Sequence, residues 1–125
     1  MACLLVGCGG FLGAIARYLI ARGSASLLGV TFPYGTFIIN VSGSFLLGVL
    51  ATWVGERLVP GSDQIRLFFA IGFLGAYTTF STFEFETQAL FEDGSWLLAL
   101  TNIFGSLFLG LVAVRAGIVL AKSWM

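Results

Sequence analysis

The sequence has few of the charged residues that a soluble domain requires. Charged residues make up 10% of its 125 residues and hydrophobic residues 58%. A typical soluble domain carries about 25% charged residues, because its surface must face water. The mean hydropathy is +1.02. A chain of this composition cannot cover itself with polar groups, so we predict an integral membrane protein.

Histidine is absent, and cysteine occurs only at Cys3 and Cys8. Without histidine, a zinc site or a Ser-His-Asp triad lacks its usual components. The cysteine spacing fits neither a metal site nor a disulfide framework, and we interpret both residues as small packing side chains. We therefore expect no enzymatic activity. The net charge is zero and no basic run is present, which argues against nucleic acid as a partner.

Four apolar stretches are long enough to cross a membrane. A spanning helix needs about 20 predominantly apolar residues, since each adds about 1.5 Å across a core of about 30 Å. The predicted spans are residues 2–21, 34–54, 65–90 and 96–119. The connections between them are short, so both termini lie on one side of the membrane. We predict a single all-α membrane domain, residues 1–125.

The third predicted span changes character near its middle. Its apolar first half gives way to Gly75 and then to four hydroxyl residues between 78 and 82. Glycine weakens a helix, and hydroxyl side chains compete for backbone hydrogen-bonding partners. One interpretation is a broken helix that presents free carbonyls to ions. The other is a regular helix whose hydroxyl groups bond back to their own carbonyls, and the residues alone leave both open.

Small and polar residues recur every four positions in the other spans. Such stripes let helices approach closely and hydrogen-bond to one another. Four short helices cannot both pack together and enclose an aqueous pore, so any ion pathway has to follow a stripe or run between subunits. We therefore expect an oligomer. The stripes are Gly9 with Gly13 and Gly10 with Ala14; Thr36, Asn40, Ser44 and Gly48; and Asn102, Ser106 and Gly110.

The positively charged residues give only a weak orientation signal. Arg17 lies near the far end of the first span and Arg22 just after it, whereas Arg57, Arg66, Arg115 and Lys122 lie towards the side of the termini. Orientation follows the excess of lysine and arginine near span ends, and here the excess is small. A chain with so little bias can insert in both directions, which permits an antiparallel homodimer.

Motifs in three spans resemble those of the Fluc/CrcB fluoride channels. The resemblance covers nearly the whole chain, and its most specific part is the Thr-Thr-Phe-Ser-Thr-Phe string of residues 78–83. The matching residues are Gly72, Gly75, Thr78, Thr79, Phe80, Ser81, Thr82, Phe83 and Glu86 in the third span; Gly9, Gly10, Gly13, Ala14, Arg17 and Tyr18 in the first; and Gly35, Thr36, Asn40, Gly43, Phe45 and Gly48 in the second.

The resemblance implies a dual-topology antiparallel homodimer with two pores and a structural sodium ion (Na⁺) at its centre. Such a protein would export fluoride passively across the bacterial cytoplasmic (inner) membrane, where lipid surrounds it, and protect the cell from fluoride toxicity. The backbone carbonyls of Gly75 and Thr78 would bind sodium. The fluoride pathway would contain Asn40, Thr79, Phe80, Phe83 and Ser106, and the vestibule Arg17 and Glu86.

The proposed pathway residues suit the chemistry of a small anion. An unpaired ion in hydrocarbon costs tens of kcal/mol, whereas a fixed cation at the centre would hold the anion too tightly to conduct. Neutral donors avoid both problems: the Asn40 amide, the hydroxyls of Thr79 and Ser106, and the electropositive edges of phenyl rings. Glu84 departs from the family pattern, in which a small polar residue is common at this position.

Two other classes of protein compete with this prediction. A small four-helix multidrug or cation exporter is also a dual-topology dimer, but it needs a membrane-embedded carboxylate. The only embedded acids here are Glu84 and Glu86, late in the third span. A purely structural membrane subunit would explain the glycines but not the hydroxyl-rich string, and it would pass no ions when purified.

Overall fold

The computed structural model describes residues 1–56 and 59–125, and its ordered elements there are helices. Helices α3 to α5 follow one another as a single stretch, Ser62–Glu92. This stretch and the three long helices are each long and apolar enough to cross a membrane, so the prediction of a four-span protein is confirmed. The elements are α1 (Ala2–Leu28), α2 (Tyr34–Glu56), α3 (Ser62–Ile65), a π-helical segment (Arg66–Leu74), α4 (Gly75–Tyr77), α5 (Ser81–Glu92) and α6 (Trp96–Ser123).

The predicted end of the first span is wrong by about two turns. We placed it at Ala21, because Gly23 and Ser24 look like the start of a loop, but α1 continues to Leu28. Ser24 is buried, so packing outweighs its weak helix propensity. The helix ends at Gly29, whose φ of 85° suits glycine and whose N–H donates to the Ala25 carbonyl at 3.0 Å.

The other span boundaries move less. The third span begins three residues earlier and ends two residues later than predicted, and α6 runs to Ser123 instead of residue 119. These shifts do not change the comparison of positive charge on the two sides of the membrane. Lys122 Nζ lies 3.4 Å from Glu56 Oε1, which places the ends of α2 and α6 together. Arg57, which that comparison also uses, lies outside the described residues.

Glycines allow the four spans to approach backbone to backbone. A Cβ atom added at Gly9 or Gly13 of α1 would overlap a carbonyl oxygen of the π-helical segment. Gly48 and Gly117 make the equivalent close approach between α2 and α6. For Gly9, Gly13 and Gly48, the packing interpretation of the small-residue stripes is confirmed, and Gly117 lies outside the predicted stripes.

The buried core is small and lies where α2 meets the third span. Ile39, Leu74 and Tyr77 form it, and Phe73 stacks on Tyr77 with ring centroids 5.8 Å apart. The Tyr77 hydroxyl is 2.9 Å from Ser42 Oγ of α2. Most other large apolar side chains are exposed in the single chain, as expected when lipid or a second subunit covers them. The core therefore anchors α4 against α2 just before the candidate site.

Candidate functional site in the interrupted third span

The third span is interrupted between α4 and α5. Thr78 adopts extended backbone angles, φ −78° and ψ 158°, and the helix resumes only at Ser81. Of the two interpretations of this span, the broken helix is confirmed. One feature of the other interpretation is also present, because the Thr78 hydroxyl donates to the Leu74 carbonyl at 2.8 Å.

The Asn40 side chain of α2 hydrogen-bonds to the backbone of Thr79 at the interruption. Its Nδ2 donates to the Thr79 carbonyl at 2.9 Å, and its Oδ1 accepts from the Thr79 N–H at 2.9 Å. The peptide N–H can only donate and the carbonyl can only accept, so these contacts fix the orientation of the amide. The side-chain amide thus provides the two bonds that a continuous helix would have made within the span.

Several backbone carbonyls lose their helical donors at the interruption, among them those of Gly75 and Thr78. In a continuous helix the Thr79 N–H would bond to Gly75, but here it bonds to Asn40. The Thr82 N–H would bond to Thr78, but it instead donates to the Thr79 hydroxyl oxygen at 3.3 Å. The carbonyls of Gly75 and Thr78 are therefore released. They are the two carbonyls that the family resemblance assigns to sodium.

A groove of about 490 Å³ lies beside the interruption. It contains all five predicted pathway residues and both predicted sodium ligands, and none of its lining residues is charged. Polar groups from α2, the third span and α6 thus face one space between apolar walls. The lining residues are Asn40, Gly43, Ser44, Leu47, Ala70, Leu74, Gly75, Thr78, Thr79, Phe80, Phe83, Ser106 and Leu107.

The two phenylalanines of the groove differ in burial. Their ring centroids are 6.2 Å apart with an angle of 43° between the planes. Phe83 is 8% exposed, whereas Phe80 is 73% exposed. Packing within the single chain accounts for Phe83, but Phe80 projects from the surface and needs another explanation.

Three hydrogen bonds connect Ser106 to the backbone of Phe83. Ser106 Oγ donates to Asn102 Oδ1 at 3.3 Å, and Asn102 Nδ2 donates to Thr87 Oγ1 at 2.9 Å. Thr87 Oγ1 in turn donates to the Phe83 carbonyl at 2.7 Å. From the sequence, Asn102 was interpreted as part of a packing stripe, and Thr87 was not singled out. Their four-residue spacing from Ser106 and Phe83 was the available signal.

The two predicted vestibule residues are not brought together. Glu86 accepts a hydrogen bond from the Thr36 hydroxyl, and both residues line a second cavity of about 380 Å³ near the connection between α1 and α2. Arg17 is half-buried on α1 and lines neither cavity. Glu84, which departs from the family pattern, is exposed.

A multi-pass membrane protein with an interrupted span beside an uncharged groove has the architecture of ion-transporting proteins. Residues 4–118 match the family model described as CrcB-like protein, Camphor Resistance (CrcB), and the chain belongs to this family. It is 45% identical over 122 residues to the fluoride-specific ion channel FluC of Solibacter usitatus, a match that covers 98% of this chain and 99% of the relative.

Two further relatives carry the same name. FluC of Geobacter sulfurreducens is 45% identical over 113 residues, covering 90% of each chain. FluC of Methylococcus capsulatus is 50% identical over 114 residues, which are 91% of this chain but only 50% of the relative. Since these relatives are named ion channels, the family resemblance and the prediction that the chain is not an enzyme are both confirmed.

Proposed function

We propose that this chain is a fluoride-selective channel that lets fluoride leave the cell passively across the cytoplasmic membrane and so protects it from fluoride toxicity. The observation that carries the proposal is the uncharged groove at the interruption, in a chain whose relatives are named fluoride-specific ion channels. Such a groove offers an anion donors and ring edges without a fixed cation that would trap it.

Two donors in the groove, the Asn40 amide and the Thr79 hydroxyl, take part in the interruption and still have a proton that can hydrogen-bond to an anion. Asn40 Nδ2 carries two protons and gives one to the Thr79 carbonyl. The Thr79 hydroxyl accepts from the Thr82 N–H and keeps its own proton. A dehydrated fluoride ion therefore finds donors that are already held in place by α2 and by the start of α5.

The exposure of the interruption supports a homodimer, in which a second copy of the chain covers it. Non-helical backbone at membrane depth is tolerated only where protein covers it or where it lines a water-filled cavity. In the single chain, Phe80 at the interruption is exposed, and so is Gly75 just before it on α4. A homodimer interface presents the same surface from both subunits, so two copies in antiparallel orientation would cover both interruptions.

Sodium fits the released carbonyls as a structural ion. Carbonyl oxygens are ligands for hard cations, and the helical donors of Gly75 and Thr78 are bonded elsewhere. Two carbonyls from each of two protomers would hold the ion, which would supply positive charge at the centre of the dimer. A high-resolution experimental structure of the dimer checks this proposal: density between these four carbonyls is expected, and a regular helix through residues 75–81 would contradict it.

Fluoride efflux from liposomes tests the proposed channel directly. Purified protein is reconstituted into liposomes loaded with potassium fluoride, a potassium ionophore is added so that potassium leaves with the anion, and efflux is followed with a fluoride electrode. We expect rapid efflux, whereas matched liposomes loaded with potassium chloride should lose chloride no faster than protein-free liposomes. Fluoride efflux at the rate of protein-free liposomes would contradict the proposal, and equal rates for both anions would contradict its selectivity.

A further inference from the structure

We infer that Asn102 is a positioning residue of the anion pathway, which sets the direction of the Ser106 hydroxyl. The inference rests on the proposed function. Asn102 is 1% exposed and lines neither cavity, so it does not meet the ion itself. It lies one helical turn before Ser106 on α6 and is hydrogen-bonded to it. Its effect on conduction must therefore pass through Ser106 or Thr87.

The direction of each hydrogen bond in this chain follows from the Phe83 carbonyl. A carbonyl only accepts, so Thr87 gives it the single proton of its hydroxyl. Thr87 Oγ1 can then only accept from Asn102, which means that the amide nitrogen faces Thr87. The amide oxygen therefore faces Ser106, and the Ser106 hydroxyl must donate to it.

This direction leaves Ser106 facing the groove with its lone pairs. A hydroxyl has one proton, and that of Ser106 points to Asn102. An anion needs a donor, so Ser106 can solvate fluoride only after its hydroxyl has rotated away from the Asn102 amide oxygen. The Ser106–Asn102 bond is the longest of the three, 3.3 Å against 2.9 and 2.7 Å, and joins two neutral groups. Ser106 can thus donate to an anion only when its hydrogen bond to Asn102 is broken.

A substitution at Thr87 tests this coupling without touching the groove. Thr87→Val keeps the side-chain shape but removes the hydroxyl, so the Asn102 amide is free to turn its nitrogen towards Ser106 and release the serine proton. The fluoride concentration that gives half-maximal efflux from liposomes should fall about threefold to tenfold, the effect of one neutral hydrogen bond. In a Ser106→Ala background, Thr87→Val should have no such effect.

Thr101→Val is the matched control. Thr101 also donates to a carbonyl four residues earlier, that of Leu97 at 2.7 Å, but it is exposed on α6. The concentration dependence of efflux should be unchanged in this variant. Asn102→Leu should also lower the half-maximal fluoride concentration, and this effect should likewise disappear in a Ser106→Ala background. If Asn102→Leu does not fold, the more conservative Thr87→Val comparison decides.

An unchanged half-maximal concentration in Thr87→Val would overturn the inference. An equal change with and without Ser106 would also overturn it, because a purely structural role of Thr87 predicts that result. If the parent protein releases no fluoride, the proposed function fails and this inference fails with it. If the parent conducts and the two substitutions act independently, only the inference fails.

Discussion

At the scale of single residues, burial separates the possible roles of the two groove phenylalanines. Both rings were predicted to solvate fluoride through their edges. Phe80 is 73% exposed, so packing within the subunit does not explain it. Phe83 is 8% exposed, so packing within the subunit already accounts for its burial. A substitution at Phe80 therefore isolates the ring chemistry, whereas one at Phe83 changes the ring and the packing together.

Replacing Phe80 with isoleucine should reduce fluoride efflux without unfolding the protein. Isoleucine retains apolar bulk but lacks the ring quadrupole. If the ring edge lowers the barrier by about 3 kcal/mol, efflux should fall more than about a hundredfold. Liposome efflux and size-exclusion chromatography check the rate and the assembly.

Phe108→Ile provides the matched control, because Phe108 is 67% exposed on α6 and does not line the groove. Its efflux should equal that of the parent. A Phe80→Ile protein that assembles normally and conducts at the parent rate would show that the Phe80 ring does not solvate the ion.

At the scale of elements, the glycines of α1 set the distance to the third span. A Cβ at Gly13 would overlap the Phe73 carbonyl oxygen, which cannot move without the backbone. A Cβ at Gly7 of the same helix would meet nothing within 4 Å. Close packing therefore requires glycine at Gly13 but not at Gly7.

Gly13→Ala should destabilise the protein, whereas Gly7→Ala should not. In the first variant α1 has to move away from the π-helical segment, and we expect the midpoint of thermal aggregation in detergent to fall by several degrees. In the second, alanine removes the entropic disadvantage of a helical glycine, about 0.5–1 kcal/mol, so the midpoint should be unchanged or higher. Equal midpoints for the two variants would contradict the close packing of α1.

The four spans could be predicted from the sequence because length and hydropathy determine them. The interruption could not be decided in the same way, since it depends on Asn40, which lies 39 residues before Thr79. The end of α1 was misplaced because the local signals at Gly23 and Ser24 are weaker than the packing of Ser24. Thr87 was missed for a similar reason: its role follows from Asn102, which only the folded chain brings to it.

At the scale of the whole molecule, the surface of one subunit is incomplete. The groove and the interruption are open, and many large apolar side chains are exposed. Lipid can cover the apolar side chains but not the non-helical backbone. The weak asymmetry of positive charge is consistent with insertion in both orientations.

A tag on the C-terminus should therefore be found on both sides of the membrane. Accessibility of the tag to a membrane-impermeant reagent, in intact and in permeabilised cells, measures the fraction on each side. Three lysines added after Met125 should draw the C-terminus to the cytoplasmic side in every copy. That variant would lack antiparallel partners and should show little fluoride efflux. Tags found on one side only in the parent would contradict dual topology.

The amide of Asn40 also has a consequence for the order in which the protein forms during synthesis. The backbone groups of Thr79 turn away from the helix only because a side chain of α2 is there to receive them. Backbone groups in lipid must bond within their own segment until protein covers them, so we expect the third span to enter the membrane as a continuous helix. The interruption would then form only on docking beside α2. We therefore expect it to be a late event of biogenesis, and a chain that stops before docking to have no released carbonyls at Gly75 and Thr78.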